Sequence, residues 1–241
     1  MPVLNVQGIQ LSFPFEPYAC QVTYMEKVVE CLKKNINGIL ESPTGTGKTL
    51  CLLCSSLAWL ETRKAQTELQ KQMGIATLIG DNKLNPGNVD NLAKSLEQST
   101  GTTWGGSDYT VPKIIYASRT HSQLGQAVQE LKRTAYNSMK VSVIGSREQL
   151  CIHEQVKKEA SNTSKVHLCR AKVAAKTCYF YNHFEALHSG SEVEVPYTVS
   201  EIGGLVRSYI KSKVCPYYMA RELKADADII FMPYNYLLDP K

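Results

Sequence analysis

The sequence has no long hydrophobic run and no secretory leader. No apolar stretch approaches the roughly 18 residues that a membrane-spanning helix needs. The N-terminal segment MPVLNVQGIQLSFPFEPY lacks a basic region followed by an apolar core. We therefore expect neither export nor membrane anchoring. Internal repeats and low-complexity tracts are also missing, and 43% of the 241 residues are hydrophobic. This composition predicts a globular chain of one large domain or two small ones.

A strong net charge is lacking too. The formal charge of +5 is mixed along the sequence, which permits a polyanionic partner without requiring one. The chain does contain eight cysteines. Without a leader, these thiols are expected to meet a reducing compartment, where metal binding or burial is more common than a disulfide framework.

The hydrophobic pattern predicts alternating strands and helices. A helix with apolar residues at i, i+3 and i+4 spacing follows Pro17, the short strand GILE follows it, and a second helix begins near Lys48. Residues 73–106, rich in Gly, Asn, Ser and Thr, predict an inserted mobile surface loop. Further strands are predicted in VPKIIYAS, MKVSVIGS and ADADIIFMPYNYLLD. This order is typical of a parallel α/β sheet.

Residues 42–49, SPTGTGKT, predict a loop that binds the phosphates of a nucleotide. The common pattern is G-x-x-x-x-G-K-[ST], and Ser42 stands where that pattern has its first glycine. Two glycines let backbone N–H groups face phosphate oxygens, the lysine reaches the β- and γ-phosphates, and the threonine hydroxyl ligates Mg²⁺. A glycine-rich turn with a solvated lysine is the structural alternative. The candidate nucleotide-binding residues are Ser42, Pro43, Thr44, Gly45, Thr46, Gly47, Lys48 and Thr49, with Lys48 and Thr49 as the catalytic pair.

A second candidate lies upstream, in FPFEPYACQ. Phe15 and Tyr18 precede Gln21, whose amide has the donor and acceptor needed to pair with the edge of adenine. The same pattern is also typical of packing and capping at the start of a helix.

Four cysteines fall between residues 147 and 215, where periodicity is poor and Cys, His, Lys and Tyr are frequent. Their spacings are long and unequal, unlike the C-x2-C pairs of common zinc sites. The spacing leaves a metal site, zinc included, and four buried thiols as open alternatives. The four residues are Cys151, Cys169, Cys178 and Cys215.

Six segments together resemble one family. In chain order, the motifs SPTGTGKT, IIYASRTHSQL, GSREQLCIH, HLCR, CPYY and ADIIFMPYNYLLD resemble the iron–sulfur superfamily 2 DNA helicases, the XPD-like family. The resemblance implies an incomplete RecA-like parallel sheet of motor lobe 1, with an inserted, mainly helical 4Fe-4S module. The implied domains are the ATP-binding lobe at 1–146, the cluster module at 147–218 and a return strand at 219–241, truncated before the family's DEAH box.

The resemblance also implies roles for residues. The four cysteines of the module would ligate one [4Fe–4S] cluster, consistent with thiolate ligation in general, and Gln21 would contact adenine. The motif SRTHSQ would follow the DNA backbone without reading sequence, through Arg119, Thr120 and Ser122. A capped helix start is the alternative for this motif, and both roles are compatible.

The implied function is an ATP-dependent DNA helicase of 5′–3′ polarity in the nucleus, acting in DNA repair, recombination and telomere maintenance. Its cofactors would be ATP, Mg²⁺ and the cluster, and its partners single-stranded DNA, duplex junctions and replication or repair proteins. The family's DEAH box, which supplies an Asp for Mg²⁺ and a Glu that activates water, does not occur in this chain. The 241 residues alone are therefore expected to be inactive. The alternative is a truncated, non-catalytic module that binds nucleotide or single-stranded DNA.

Overall fold

A computed structural model of the chain describes residues 1–79, 111–189 and 202–238. They form two compact units. The first contains Met1–Lys113 and Glu130–Asn137, and the second contains Ile114–Gln129 and Ser138–Lys241.

The first unit opens with an antiparallel hairpin of β1 (Val3–Val6) and β2 (Ile9–Ser12). Its two-residue turn places Gln7 and Gly8 at φ 51° and 86°. Positive φ at both turn residues matches the twist of the paired strands, which explains the glycine. Helix α1 (Ala19–Lys34) packs on β1 and on the following helix. Its buried side chains lie along one face, as the periodicity predicted.

Helix α2 (Lys48–Ile79) begins at the end of the glycine loop. Its first half is fully buried at Leu53, Leu57 and Leu60. The helix continues to Ile79, so the prediction that a loop begins at Met73 was wrong for the first residues of that segment. Met73, Ala76 and Leu78 are strong helix formers, and the one glycine costs a helix only about 1 kcal/mol. Residues 80–106 of the predicted loop lie outside the described residues.

The predicted strand GILE, residues 38–41, is not formed in the structure. Ile39 is completely exposed, at 101% of its reference area. An extended segment becomes a strand only through hydrogen bonds to a neighbour, and no described strand pairs with it. The apolar composition alone therefore gave a wrong strand assignment.

The second unit contains a parallel sheet of β3 (Ile114–Ser118), β4 (Val141–Val143) and β5 (Ile229–Pro233). The order is β3-β5-β4, so the strand that comes last in the chain is central. All five residues of β5 are buried, and Ile229 pairs with Ile114 on one side and with Val141 on the other. This arrangement confirms the predicted parallel α/β class. Helix α3 (His121–Lys132) follows β3.

The described chain between β4 and β5 contains six helices, joined by short turns and loops, and no strand. The helices are α4 (Arg147–Leu150), α5 (Glu154–Lys158), α6 (Asn162–Ala174), α7 (Tyr179–Ser189), α8 (Ile202–Lys211) and α9 (Pro216–Leu223), and α10 (Asn235–Leu238) follows β5. Helix α9 joins this segment to the sheet, because the Ser142 hydroxyl of β4 donates to the Ala220 carbonyl at 2.8 Å. The domain boundaries at 146/147 and 218/219 stay predictions.

Candidate phosphate-binding loop and cysteine pocket

The glycine loop of the first unit is shaped by two residues with positive φ. Gly45 and Gly47 have φ values of 85° and 72°. Residues with a side chain rarely adopt positive φ, which accounts for glycine at both positions. The space around Gly45 is open, whereas a Cβ at Gly47 would lie 2.9 Å from the Gln21 amide nitrogen.

The Lys48 side chain folds back over this loop. Its ammonium group donates to the carbonyl oxygens of Ser42 and Pro43 at 2.6 and 2.7 Å. The Thr46 hydroxyl donates to the Pro43 carbonyl at 2.9 Å and lies 2.5 Å from the Ser42 hydroxyl. The side chain of Ser42, at the position where the common motif has glycine, thus connects the start of the loop to its middle. Thr49 is the second residue of α2.

Gln21 connects the start of α1 to the same loop. Its side-chain oxygen accepts from the Tyr18 N–H at 2.9 Å, and its amide nitrogen donates to the Thr46 carbonyl at 3.1 Å. The side chain is only 3% exposed. Gln21 is therefore a helix-capping residue that also contacts the phosphate loop, and its contact with adenine stays a prediction.

The second unit brings four distant cysteines to one pocket. Cys151 caps the end of α4, Cys169 lies within α6, Cys178 directly precedes α7, and Cys215 is the N-cap of α9. All four line the same pocket, together with apolar and aromatic side chains that include Phe180. Three of these thiols are 7% exposed, and Cys151 is partly buried.

Burial sets the electrostatics of these thiols. It raises the pKa of Cys215 to about 12, with a further contribution from the neighbouring thiols of Cys151 and Cys178. The pKa of Cys151 is raised by burial as well. Thiols in such surroundings ionise only beside a source of positive charge. Among the described residues, no three His, Cys, Asp or Glu side chains are placed to hold a metal ion.

Arg147 lies beside the cysteine pocket, and no role was predicted for it from the sequence. Its side chain hydrogen-bonds to Cys169 and to Tyr218; burial would lower the pKa of Arg147, but these bonds raise it. Its guanidinium lies 4.0 Å from the centre of the Tyr217 ring, and that of Arg221 lies 3.7 Å from the same centre. The available signal was its position one helical turn before Cys151.

The motif SRTHSQ lies where β3 ends and α3 begins. The Thr120 hydroxyl accepts from the Gln123 N–H at 3.3 Å, so Thr120 caps α3. Arg119, Thr120 and Ser122 are all exposed. Burial lowers the pKa of His121 in the same motif, and its Nδ1 atom is buried without a hydrogen-bond partner among the described residues. The capping role is observed, and the contact with DNA stays a prediction.

Comparison with known proteins identifies the class. The DEAD_2 family profile matches residues 116–241. The chain belongs to the DEAD_2 family.

Three relatives show what the chain is similar to. The chain is 49% identical over 252 residues to regulator of telomere elongation helicase 1 of Bos taurus, matching all of this chain and 19% of that protein. It is 50% identical over 244 residues to the Homo sapiens protein of that name, again with 100% and 19% coverage. A homolog from Drosophila ananassae is 51% identical over 245 residues, with 24% of its length covered. The chain thus spans about a fifth to a quarter of these relatives.

One solved structure, titled XPD_Helicase, matches 92% of this chain and 28% of its own, with 20% identity and a TM-score of 0.48. No helix of the described residues has the length and apolar character of a membrane span.

Proposed function

We propose that this chain supplies the ATP-binding and iron–sulfur parts of a DNA helicase. The enzyme would unwind DNA in the 5′–3′ direction in the nucleus, in repair, recombination and telomere maintenance. The observation that carries the proposal is the convergence of four cysteines on one pocket. The same chain has a glycine loop whose lysine, Lys48, folds back over it. A small-molecule kinase would need the loop but would leave the cysteines unexplained.

The nucleotide site is built from the loop and α1. The Lys48 ammonium, which donates to two loop carbonyls, would turn to the β- and γ-phosphates of a bound nucleotide. The positive end of α2 would face the same charge. Thr49 would ligate Mg²⁺. Gln21 would pair with adenine and, through Thr46, connect that contact to the phosphate loop.

The cysteine pocket fits a four-iron cluster better than a single ion. One ion needs three or four ligands around one point, and no described group of side chains offers that. A [4Fe–4S] cluster places its four cysteines on four different irons, so their sulfurs lie farther apart. The cluster would supply the positive charge that these buried thiols need, and would connect the helices that carry the four cysteines. The four ligands would be Cys151, Cys169, Cys178 and Cys215.

Two matched pairs of variants test the proposal in chain purified without oxygen. Cys178→Ser should abolish iron and sulfide binding while a fluorescent ATP analogue still binds. Cys20→Ser, which changes an exposed cysteine outside the pocket, should retain iron. Lys48→Ala should retain iron but weaken nucleotide binding at least about tenfold, because a charge-assisted contact is lost. Lys132→Ala, on an exposed lysine of α3, should leave both unchanged.

The outcomes separate the alternatives. Stoichiometric zinc without iron, in protein made with adequate iron, would reject the cluster. If Cys178→Ser and Lys48→Ala each lose both iron and nucleotide binding, the two sites are not independent. Because the chain has no Asp-Glu-Ala-His sequence, its ATP turnover should equal that of Lys48→Ala. DNA-stimulated turnover above this level would reveal another catalytic carboxylate.

A further inference from the structure

An exposed tyrosine lies directly beside the cysteine pocket. Tyr179 is the first residue of α7, next to Cys178, and 57% of its surface is exposed. Its ring is stacked on that of His183, one turn along α7, at 29° with a centroid distance of 6.2 Å. The Phe180 ring meets it edge-on, at 78° and 5.8 Å. These two rings restrict the orientation of Tyr179 and leave much of it open to solvent.

Two lysines with unusual backbone conformation are tied to the same turn of α7. Lys176 and Lys213 have φ values of 52° and 55°. The Lys176 carbonyl accepts from the Asn182 side chain at 2.6 Å, and the Lys213 carbonyl lies 3.2 Å from His183 Nδ1. The backbones of both lysines therefore contact residues in the first turn and a half of α7, which begins with Tyr179.

These lysines end α6 and α8 in the same way. Lys176 N–H bonds to Val173 O and the next N–H to Lys172 O, and the bonds around Lys213 repeat this spacing. Glycine is the usual residue at such a helix end because it takes positive φ without strain. Lysine at both positions therefore costs stability relative to glycine. The Lys176 side chain is 73% exposed, and its ammonium lies 3.7 Å from the Glu185 carboxylate.

We propose that Tyr179, stacked on His183, is a platform for one unpaired base of single-stranded DNA, and that Lys176 and Lys213 contact the phosphates that flank this base. This inference rests on the proposed helicase function. It assigns contact with single-stranded DNA to these four residues, which we call the Tyr179 platform. An aromatic face binds any base, and ammonium groups neutralise phosphate without reading sequence. The platform would thus hold the strand next to the cysteine pocket without regard to sequence.

The first test removes the ring. Tyr179→Ala in the complete chain with its iron should bind an oligothymidine at least about fivefold more weakly, and Tyr179→Phe should bind within about twofold of wild type. Ile210→Ala, which trims an equally exposed apolar side chain of α8, is the control and should bind normally. A 2-aminopurine base in the oligonucleotide should be quenched by wild type and by Tyr179→Phe but not by Tyr179→Ala.

The second test separates binding from structure. Lys176→Gly and Lys213→Gly relieve backbone strain, so the thermal midpoint should stay equal or rise. Each should nevertheless weaken binding and reduce the slope of log K against log salt by about 0.7, the value for one phosphate contact on a single strand. A purely structural role would leave both the affinity and this slope unchanged.

The outcomes distinguish a failure of the Tyr179 platform from a failure of DNA binding as a whole. Failure of wild type to bind any oligonucleotide would reject DNA binding by this chain as a whole. Normal binding by wild type together with equal affinity and quenching by Tyr179→Ala would reject the platform alone. If Tyr179→Ala loses iron, His183→Ala takes its place, because it removes the ring behind Tyr179 and should weaken binding in the same way.

Discussion

Replacing Gly47 by alanine tests how Gln21 is coupled to the phosphate loop. Positive φ costs a non-glycine residue about 1–2 kcal/mol. The new Cβ at Gly47 would also lie 2.9 Å from the Gln21 amide nitrogen. That amide makes two hydrogen bonds and is almost fully buried, so displacing it costs about 1 kcal/mol for each bond that breaks. We expect Gly47→Ala to lower the free energy of unfolding by about 2–4 kcal/mol.

Gly45→Ala is the matched control. Its φ is also positive, at 85°, but nothing lies within 4 Å of its added Cβ. Only the backbone term applies, so it should cost about 1–2 kcal/mol less than Gly47→Ala in urea unfolding. In a Gln21→Ala background this difference should vanish, because the atom that the new methyl group meets is gone. Equal destabilisation by both substitutions in the wild-type background would refute the coupling.

Three further predictions concern other parts of the chain. Tyr136→Phe should lower the unfolding free energy by about 1–2 kcal/mol in urea titrations, because the part-buried Ser12 N–H loses its acceptor at 3.0 Å. Arg147→Gln should lose iron to a chelator about 10–100-fold faster than wild type, because Cys169 loses its hydrogen bond; equal retention would contradict this role. Hydrogen bonds from two lysines lower the pKa of Glu30 from 4.5 to about 2. The stability difference between wild type and Glu30→Gln should therefore be complete above pH 4.5 and disappear as pH falls through 2.

The elements that could be predicted from the sequence are those determined by local chemistry. Glycines at Gly45 and Gly47 signal positive φ directly, and the structure has both. The apolar spacing in α1, the alternating apolar positions around β4 and the apolar run of β5 reflect short-range geometry, so those elements were predictable. The hairpin at the N-terminus had a signal as well, since apolar residues alternate on both sides of Gln7-Gly8.

The features that could not be predicted from the sequence depend on contacts between distant parts of the chain. Whether residues 38–41 form a strand depends on a partner that their own composition does not specify. The stacking of Arg147 and Arg221 on Tyr217 joins α4 to α9, which are far apart in the chain. Spacing likewise left the cysteines ambiguous between a metal site and buried thiols, and only the folded chain brings all four to one pocket.

The position of β5 in the sheet has a consequence for folding kinetics. β3 and β4 do not pair with each other. Both pair with β5, the central strand, which follows Val143 by more than eighty residues. Closing such long loops makes the sheet a structure of high contact order, which forms slowly. The helices between β4 and β5 depend on nearer contacts and can form first. During synthesis, the helical segment with its cysteines would therefore be in place before the sheet that carries it.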